Sequence, residues 1–106
     1  MKIDTLELAA AAAYVLFDSA VEYQDGSDNT ALVNLCAADL HDFSHESHDK
    51  EKVQQLARDI VQDGERLYRV STEFEERALG LLMVHLFKDL ADGSASLFKE
   101  PASKSA

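Results

Sequence analysis

The run DTLELAAAAAYVLFDSAVEY, residues 4–23, constrains the fold most, because as a helix it is apolar on more than one side. Leu6, Ala9, Ala10, Ala13, Leu16, Phe17, Ala20 and Val21 recur at the i, i+3, i+4 spacing of one buried stripe. Leu8, Ala11, Ala12 and Val15 widen the apolar surface around the cylinder. The consecutive alanines Ala9 to Ala13 bring strong helix propensity and let another backbone approach closely. Asp4 can accept from the free first-turn N–H groups, with Glu7 three residues on as in a capping box. A helix apolar on two sides must be covered on two sides. Its expected place is between its own core and a second chain.

The 106 residues suffice for one domain and one core. A chain of this size buries about 65% of its unfolded surface, so a stability of about 5–10 kcal/mol is expected. Proline occurs once and glycine four times, and β-branched residues form no alternating runs. The expected fold is therefore all-α: a small bundle of three or four helices, dimeric, over residues 1–93, with residues 94–106 as a flexible tail.

The net charge of −10 disfavours nucleic acid and anionic membranes as direct ligands, since both repel it. Residues 1–49 hold ten Asp/Glu and one basic residue, Lys2, whereas residues 50–106 hold ten Asp/Glu and nine Lys/Arg. The acidic front could pack beside Arg58, Arg66, Arg69 and Arg77, or it could face a basic partner protein. The single cysteine, Cys36, excludes an intramolecular disulfide and suggests a reducing, cytoplasmic setting. Asp4 and Glu7 stand where a signal peptide would be basic, so export is not expected. No uncharged apolar run reaches the length of about 18 residues that a membrane span needs.

Gly26 can end the first helix in the left-handed region, and Asp28, Asn29 or Thr30 can cap a second over residues 31–43. Leu32, Leu35, Cys36, Leu40 and Phe43 form its apolar stripe, with Cys36 in the core and Asp39 and Asp42 toward water. A third helix starts near His48 or Asp49. Its face of Val53, Leu56, Ala57, Ile60 and Val61 continues through Leu67 to Val70 without a phase break, although Gly64 weakens it by about 1 kcal/mol relative to Ala. Thr72 and Glu75 suggest a second capping box. A fourth helix over residues 73–91, apolar nearly all round, is expected to be central, with a Glu73–Arg77 pair, His85 in a core or an interface, and Gly93 as its left-handed end. Leu97 and Phe98 could dock from the tail onto a groove.

The segment HDFSHESHD brings His41, His45 and His48 together among Asp42, Glu46 and Asp49. On a continuous helix His41 and His45 would share a face, and His48 would follow at i+3, spacing that could hold Zn²⁺, Ni²⁺ or Cu²⁺. Ser44 and Ser47 instead suggest a polar junction that scatters the ligands. No cofactor or bound metal is therefore expected. A junction charging near pH 6 is a further possibility.

No nucleophile with an orienting base, glycine-rich phosphate loop or carboxylate pair inside an apolar run is present, so an enzyme is not expected. Surplus apolar surface on an acidic helical chain fits a protein-binding module, with Leu8, Ala11, Ala12, Val15, Leu82 and Leu86 as the expected interface. In size, acidity and helical make-up, and in LELAAAAAYVLF, residues 1–93 resemble small bacterial anti-activators of transcription regulators, the QslA-like quorum-sensing group. The resemblance implies a non-enzymatic inhibitor that sequesters a regulator by blocking its dimerisation, and it carries over no individual residue. The alternatives are a His-rich metal-binding protein or a nucleic-acid mimic that blocks a basic groove. Asp18, Glu22, Asp25, Asp28, Asp39, Asp42 and Glu46 would supply the mimic's carboxylates.

Overall fold

The computed structural model describes residues 5–24, 26, 28–46 and 50–93. The Asp4 cap, Asp25, the Ser47 cap, His48, the third helix's start at His48 or Asp49, and the tail with Leu97 and Phe98 lie outside the described residues. Four helices follow in order: α1 (Thr5–Tyr23), α2 (Thr30–Glu46), α3 (Lys50–Val70) and α4 (Phe74–Asp92). The fold is an all-α bundle, as expected, and no strand occurs among the described residues. α1 packs on α2 and α4, and α3 packs on α2 and α4, so the helices stand at the corners of a square. Short connections make consecutive helices antiparallel. Across the diagonal, the rings of Phe43 and Phe87 meet edge to face at 5.0 Å and fill the middle of the core.

This arrangement corrects the central place expected of the fourth helix. A corner helix buries one side only, and α4 buries Leu79, Gly80, Met83, Phe87, Leu90 and Ala91. Phe74, Leu81, Leu82, His85 and Leu86 are exposed, so His85 is not a core residue. On α1 the buried residues are Ala9, Ala13, Leu16 and Ala20, with Leu6 and Phe17 beside them, while Val21 is exposed. On α2 the buried face is Val33, Cys36, Ala37, Leu40 and Phe43; Leu35, expected inside, is exposed. The expected stripe chose the bulkier leucine, whereas the helix phase set by Cys36, Leu40 and Phe43 selects Val33.

Helix boundaries differ where side chains bond differently from expectation. α2 continues past Phe43 to Glu46, and the Ser44 hydroxyl donates to His41 O (2.8 Å), bonding back within the helix rather than capping a new one. α3 runs unbroken through Gly64, as expected. The Thr72–Glu75 capping box does not form: Glu73 is the N-cap residue, in extended conformation and without a side-chain cap bond. Arg77 turns from Glu73 to the end of α3, where it donates to Tyr68 O (3.0 Å) and Ser71 O (3.4 Å) and lies 4.1 Å over the Tyr68 ring. A cation there meets the free carbonyls and negative dipole end of α3. Gly93 ends α4 at φ +75°, as expected, with its N–H bonding back to Asp89 O and Leu90 O. Arg58 (3.3 Å) and Gln54 (3.2 Å) both donate to Ala91 O near that end. Arg58 and Arg77 thus serve helix ends of the back half, and Arg69 sits 3.9 Å from Glu65 on its own helix.

A polar knot holds one end of the bundle. Glu76 is only 4% exposed, and its Oε1 accepts from Ser71 Oγ (2.9 Å) and Asn29 Nδ2 (3.2 Å). The connection before α2 is thereby tied to the first turn of α4.

Candidate functional site

The described surface concentrates exposed apolar side chains along α1 and α4. Leu8 and Val15 are 57% and 62% exposed, and Leu82 and Leu86 are 46% and 50% exposed. Their spacing explains this. On α1, Leu8, Ala11 and Val15 follow at three and four residues, on the flank beside the buried Ala9–Ala13–Leu16 stripe. On α4, Leu82 and Leu86 are one turn apart, beside Leu79, Met83 and Leu90. Ala11 is exposed, while Ala12 is half-buried and packs against the core.

A shallow groove of about 290 Å³ lies between the two helices, lined by Thr5, Leu8, Ala9 and Ala12 of α1 and by Leu86, Asp89 and Leu90 of α4. The start of α1 therefore lies beside the end of α4. The small side chains of Ala9 and Ala12 leave the groove open, and the leucines make its walls apolar. Leu8, Ala12 and Leu86 of the expected interface meet in it; Ala11, Val15 and Leu82 lie on the same two helices outside its lining. Leu81, Tyr14, Val70 and Phe74 are further exposed apolar residues that the expected interface left out. Phase relative to the buried stripe was the signal that could have found Tyr14 and Leu81.

The described part of the histidine segment, residues 41–46, continues α2, so the junction between helices comes later than Ser44. His41 and His45 share one face of α2 and stack with ring centroids 4.1 Å apart, and Phe17 of α1 lies 5.3 Å from His41. His45 Nδ1 is 3.0 Å from both His41 O and Ser44 Oγ, and His41 Nδ1 is 3.8 Å from Asp42. Among the described residues, no three His, Cys, Asp or Glu side chains are grouped to hold a metal ion.

Asp39 faces inward rather than toward water. It is half-buried on α2, its Oδ2 has no hydrogen-bond partner, and its carboxyl pairs with Asp63 of α3. Burial first, then the bond and charge of Asp63, push its pKa up to about 8. Cys36 is fully buried next to this pair, its thiol donating to Asp63 O (3.6 Å), and burial raises its pKa to about 12. A thiol so placed is a small hydrophobe rather than a nucleophile.

No family model, curated protein or solved structure matches this chain. Among the described residues, no helix is long and apolar enough to cross a membrane.

Proposed function

We propose that the chain is a non-enzymatic regulator that binds a partner protein through its α1/α4 face and sequesters it. The bound chain covers the surface that the partner uses for its own dimerisation or other contacts. One observation carries this reading: Leu8, Val15, Leu82 and Leu86 are all exposed on two neighbouring helices, around an apolar groove. Apolar patches of this kind mark protein contacts, and a helix laid in a groove is a common way to cover them. A transcription or quorum-sensing regulator in the cytoplasm is the partner class that the resemblance to anti-activators suggests. Self-association through the same face is the other way to cover it.

The test places a photo-crosslinking amino acid at Ala11 and, as a control, at the exposed Gln55 of α3. The expected result is a protein adduct at position 11 and none at 55, lost when Leu82 and Leu86 are both serine. The captured partner, once purified, should fall in mass from its own oligomer when mixed with the chain. Equal crosslinking from both positions, or a partner whose oligomer is unaffected, contradicts the reading.

The acidic-mimic reading has one observation in its favour. Asp18, Glu22, Asp28, Asp42 and Glu46 are all exposed, while Arg58 and Arg77 are occupied at helix ends elsewhere. Salt separates the two readings, since charge-led binding weakens steeply with ionic strength and apolar occlusion barely changes.

A further inference from the structure

We infer that the α1/α4 face takes an amphipathic helix of another protein whose apolar stripe is bracketed by Lys or Arg, in preference to a second copy of this chain. This rests on the proposed function for the face itself and adds the chemistry of what fills it.

Carboxylates stand at both ends of the exposed apolar stripes. On α1 the exposed stripe runs Leu8, Ala11, Val15, Asp18, Glu22 at alternating steps of three and four, so it begins apolar and ends acidic. On α4 the exposed Glu75 precedes Leu82 by two turns on the same flank, so that stripe begins acidic and then turns apolar. The two helices are antiparallel. The Asn29–Glu76 hydrogen bond (3.2 Å) fixes the chain just after α1 beside the first turn of α4, placing Glu22 and Glu75 at one end of the face. The groove closes against Asp89 at the other end, where Glu7 adjoins Leu8. The apolar middle is thus bounded by carboxylates along its length. α1 has no basic residue, and Lys88, two positions after Leu86, turns away from the stripe.

Leu8 to Glu22 spans about 21 Å, which matches a partner helix of about four turns. A helix with leucines at i, i+3, i+4 and i+7 fills the middle, and cations beyond its ends meet the carboxylates. A second copy fits badly. In an antiparallel pairing Asp18, Glu22 and Glu75 meet Glu7 and Asp89 of the copy, and in a parallel pairing they meet themselves. Either way like charges are pressed together, on chains that each carry −10.

The experiment uses the full chain and two synthetic helical peptides of about 18 residues with one leucine stripe. One carries Lys at both ends of the stripe and the other Glu. Binding is read by fluorescence anisotropy at about 50 and 500 mM salt, together with mass by light scattering. The expected result is binding of the Lys peptide only, weakened about tenfold by Leu86→Ser and severalfold by the triple change Asp18→Asn, Glu22→Gln, Glu75→Gln. Glu65→Gln on α3 should leave it unchanged. Equal, salt-insensitive binding of both peptides overturns the charge inference and leaves the docking face standing. A dimer that binds neither peptide and becomes monomeric with Leu86→Ser overturns it in favour of a second copy. A monomer that binds neither overturns both this inference and the face on which the proposed function rests.

Discussion

Gly64 and Gly80 face each other where α3 and α4 cross, and each is a glycine because the other helix occupies its side-chain space. A Cβ on Gly64 would stand 2.7 Å from Met83 Cβ and 3.0 Å from Gly80 O. A Cβ on Gly80 would strike Gly64 O and stand 2.9 Å from Tyr68 N, both of them backbone. The residue that weakens α3 as an isolated helix is thus what lets α3 and α4 approach closely. Its cost in helix propensity, about 1 kcal/mol, is offset by packing.

Gly80→Ala is therefore expected to be the more damaging of the two alanine changes. Its new methyl meets backbone that cannot move without shifting a helix, at a cost of about 1–3 kcal/mol or more. Gly64→Ala meets the stem of Met83, and its gain in propensity offsets part of the strain, so the loss should be smaller. Urea unfolding of both variants checks the order. A Gly64→Ala chain more stable than the wild type would show that the close approach does not constrain that position.

The buried knot at Glu76 makes a second, independent demand. Removing the carboxylate with Glu76→Ala takes the acceptor from the Ser71 hydroxyl and strips Asn29 Nδ2 of the shorter of its bonds, leaving its longer one to Ser71 Oγ (3.4 Å). The expected loss is about 2–3 kcal/mol, since unsatisfied buried groups cost more than a typical hydrogen bond contributes. Asn29→Ala, which keeps the Ser71 bond, should cost about 1 kcal/mol. Denaturant midpoints measure both, and equal losses would mean that the two donors do not act separately.

The helices themselves were legible in the sequence because apolar spacing, sparse proline and Gly93 agreed with one another. Phase was legible only where a helix is amphipathic. α3 has one apolar side, and its buried Val53, Ala57, Ile60 and Leu67 are residues that the pattern names, although Val70, expected to continue that face, is exposed at the last residue of the helix. α1 and α4 are apolar on several sides, so their spacing shows that they have surplus surface without showing which leucines lie inside. Leu8, Val15, Leu82 and Leu86 could be singled out as surplus, but the meeting of Leu8 and Leu86 in a groove depends on the antiparallel pairing of α1 with α4. Polar residues were the least legible. Glu76 and Asp39 look like solvated surface because their partners, Asn29 and Asp63, are 47 and 24 positions away. Gly80 gave no warning, since the atoms that crowd it belong to the previous helix.

Asp39 should make the fold less stable as pH rises. Its folded pKa of about 8 lies above the ordinary 3.8, so the folded state holds a proton that the unfolded chain has released. The stabilisation is complete below about pH 4, declines as pH rises toward 8, and is gone above that. Asp39→Asn, which keeps the shape and a donor toward Asp63, should remove this slope. It should be more stable than the wild type at pH 9. Unfolding midpoints of the two chains at pH 5.5, 7 and 9 decide it, and parallel profiles would mean that Asp39 is ionised in the fold.

Cys36 should be silent to thiol reagents until the bundle opens. Its Sγ is buried and its pKa is pushed up to about 12, so reaction at pH 8 requires unfolding. Labelling by an aromatic disulfide should be slow in buffer and should accelerate with urea along the global unfolding curve. Fast labelling in buffer would reveal a local opening of α2 from α3 at Asp63.

The α1/α4 face carries the final expectation, because its residues can be changed without touching the core. Leu8→Ser and Leu86→Ser each alter a side chain half exposed or more, so stability should move by about 1 kcal/mol or less while association is lost. Ala12→Arg behaves differently from a pure surface change. Ala12 is half-buried beside the groove, so a guanidinium there must run its stem along Leu8 and Leu86 to reach water. That stem fills the groove from within, and the charge lands where a partner would sit. Association should therefore fail even though the chain stays helical, with a modest fall in unfolding temperature. Circular dichroism and the anisotropy of the Lys-bracketed peptide with each of the three variants read both quantities. Association that survives all three would place the contact elsewhere, with Phe74 and Val70 at the α3–α4 turn the next exposed apolar pair to change.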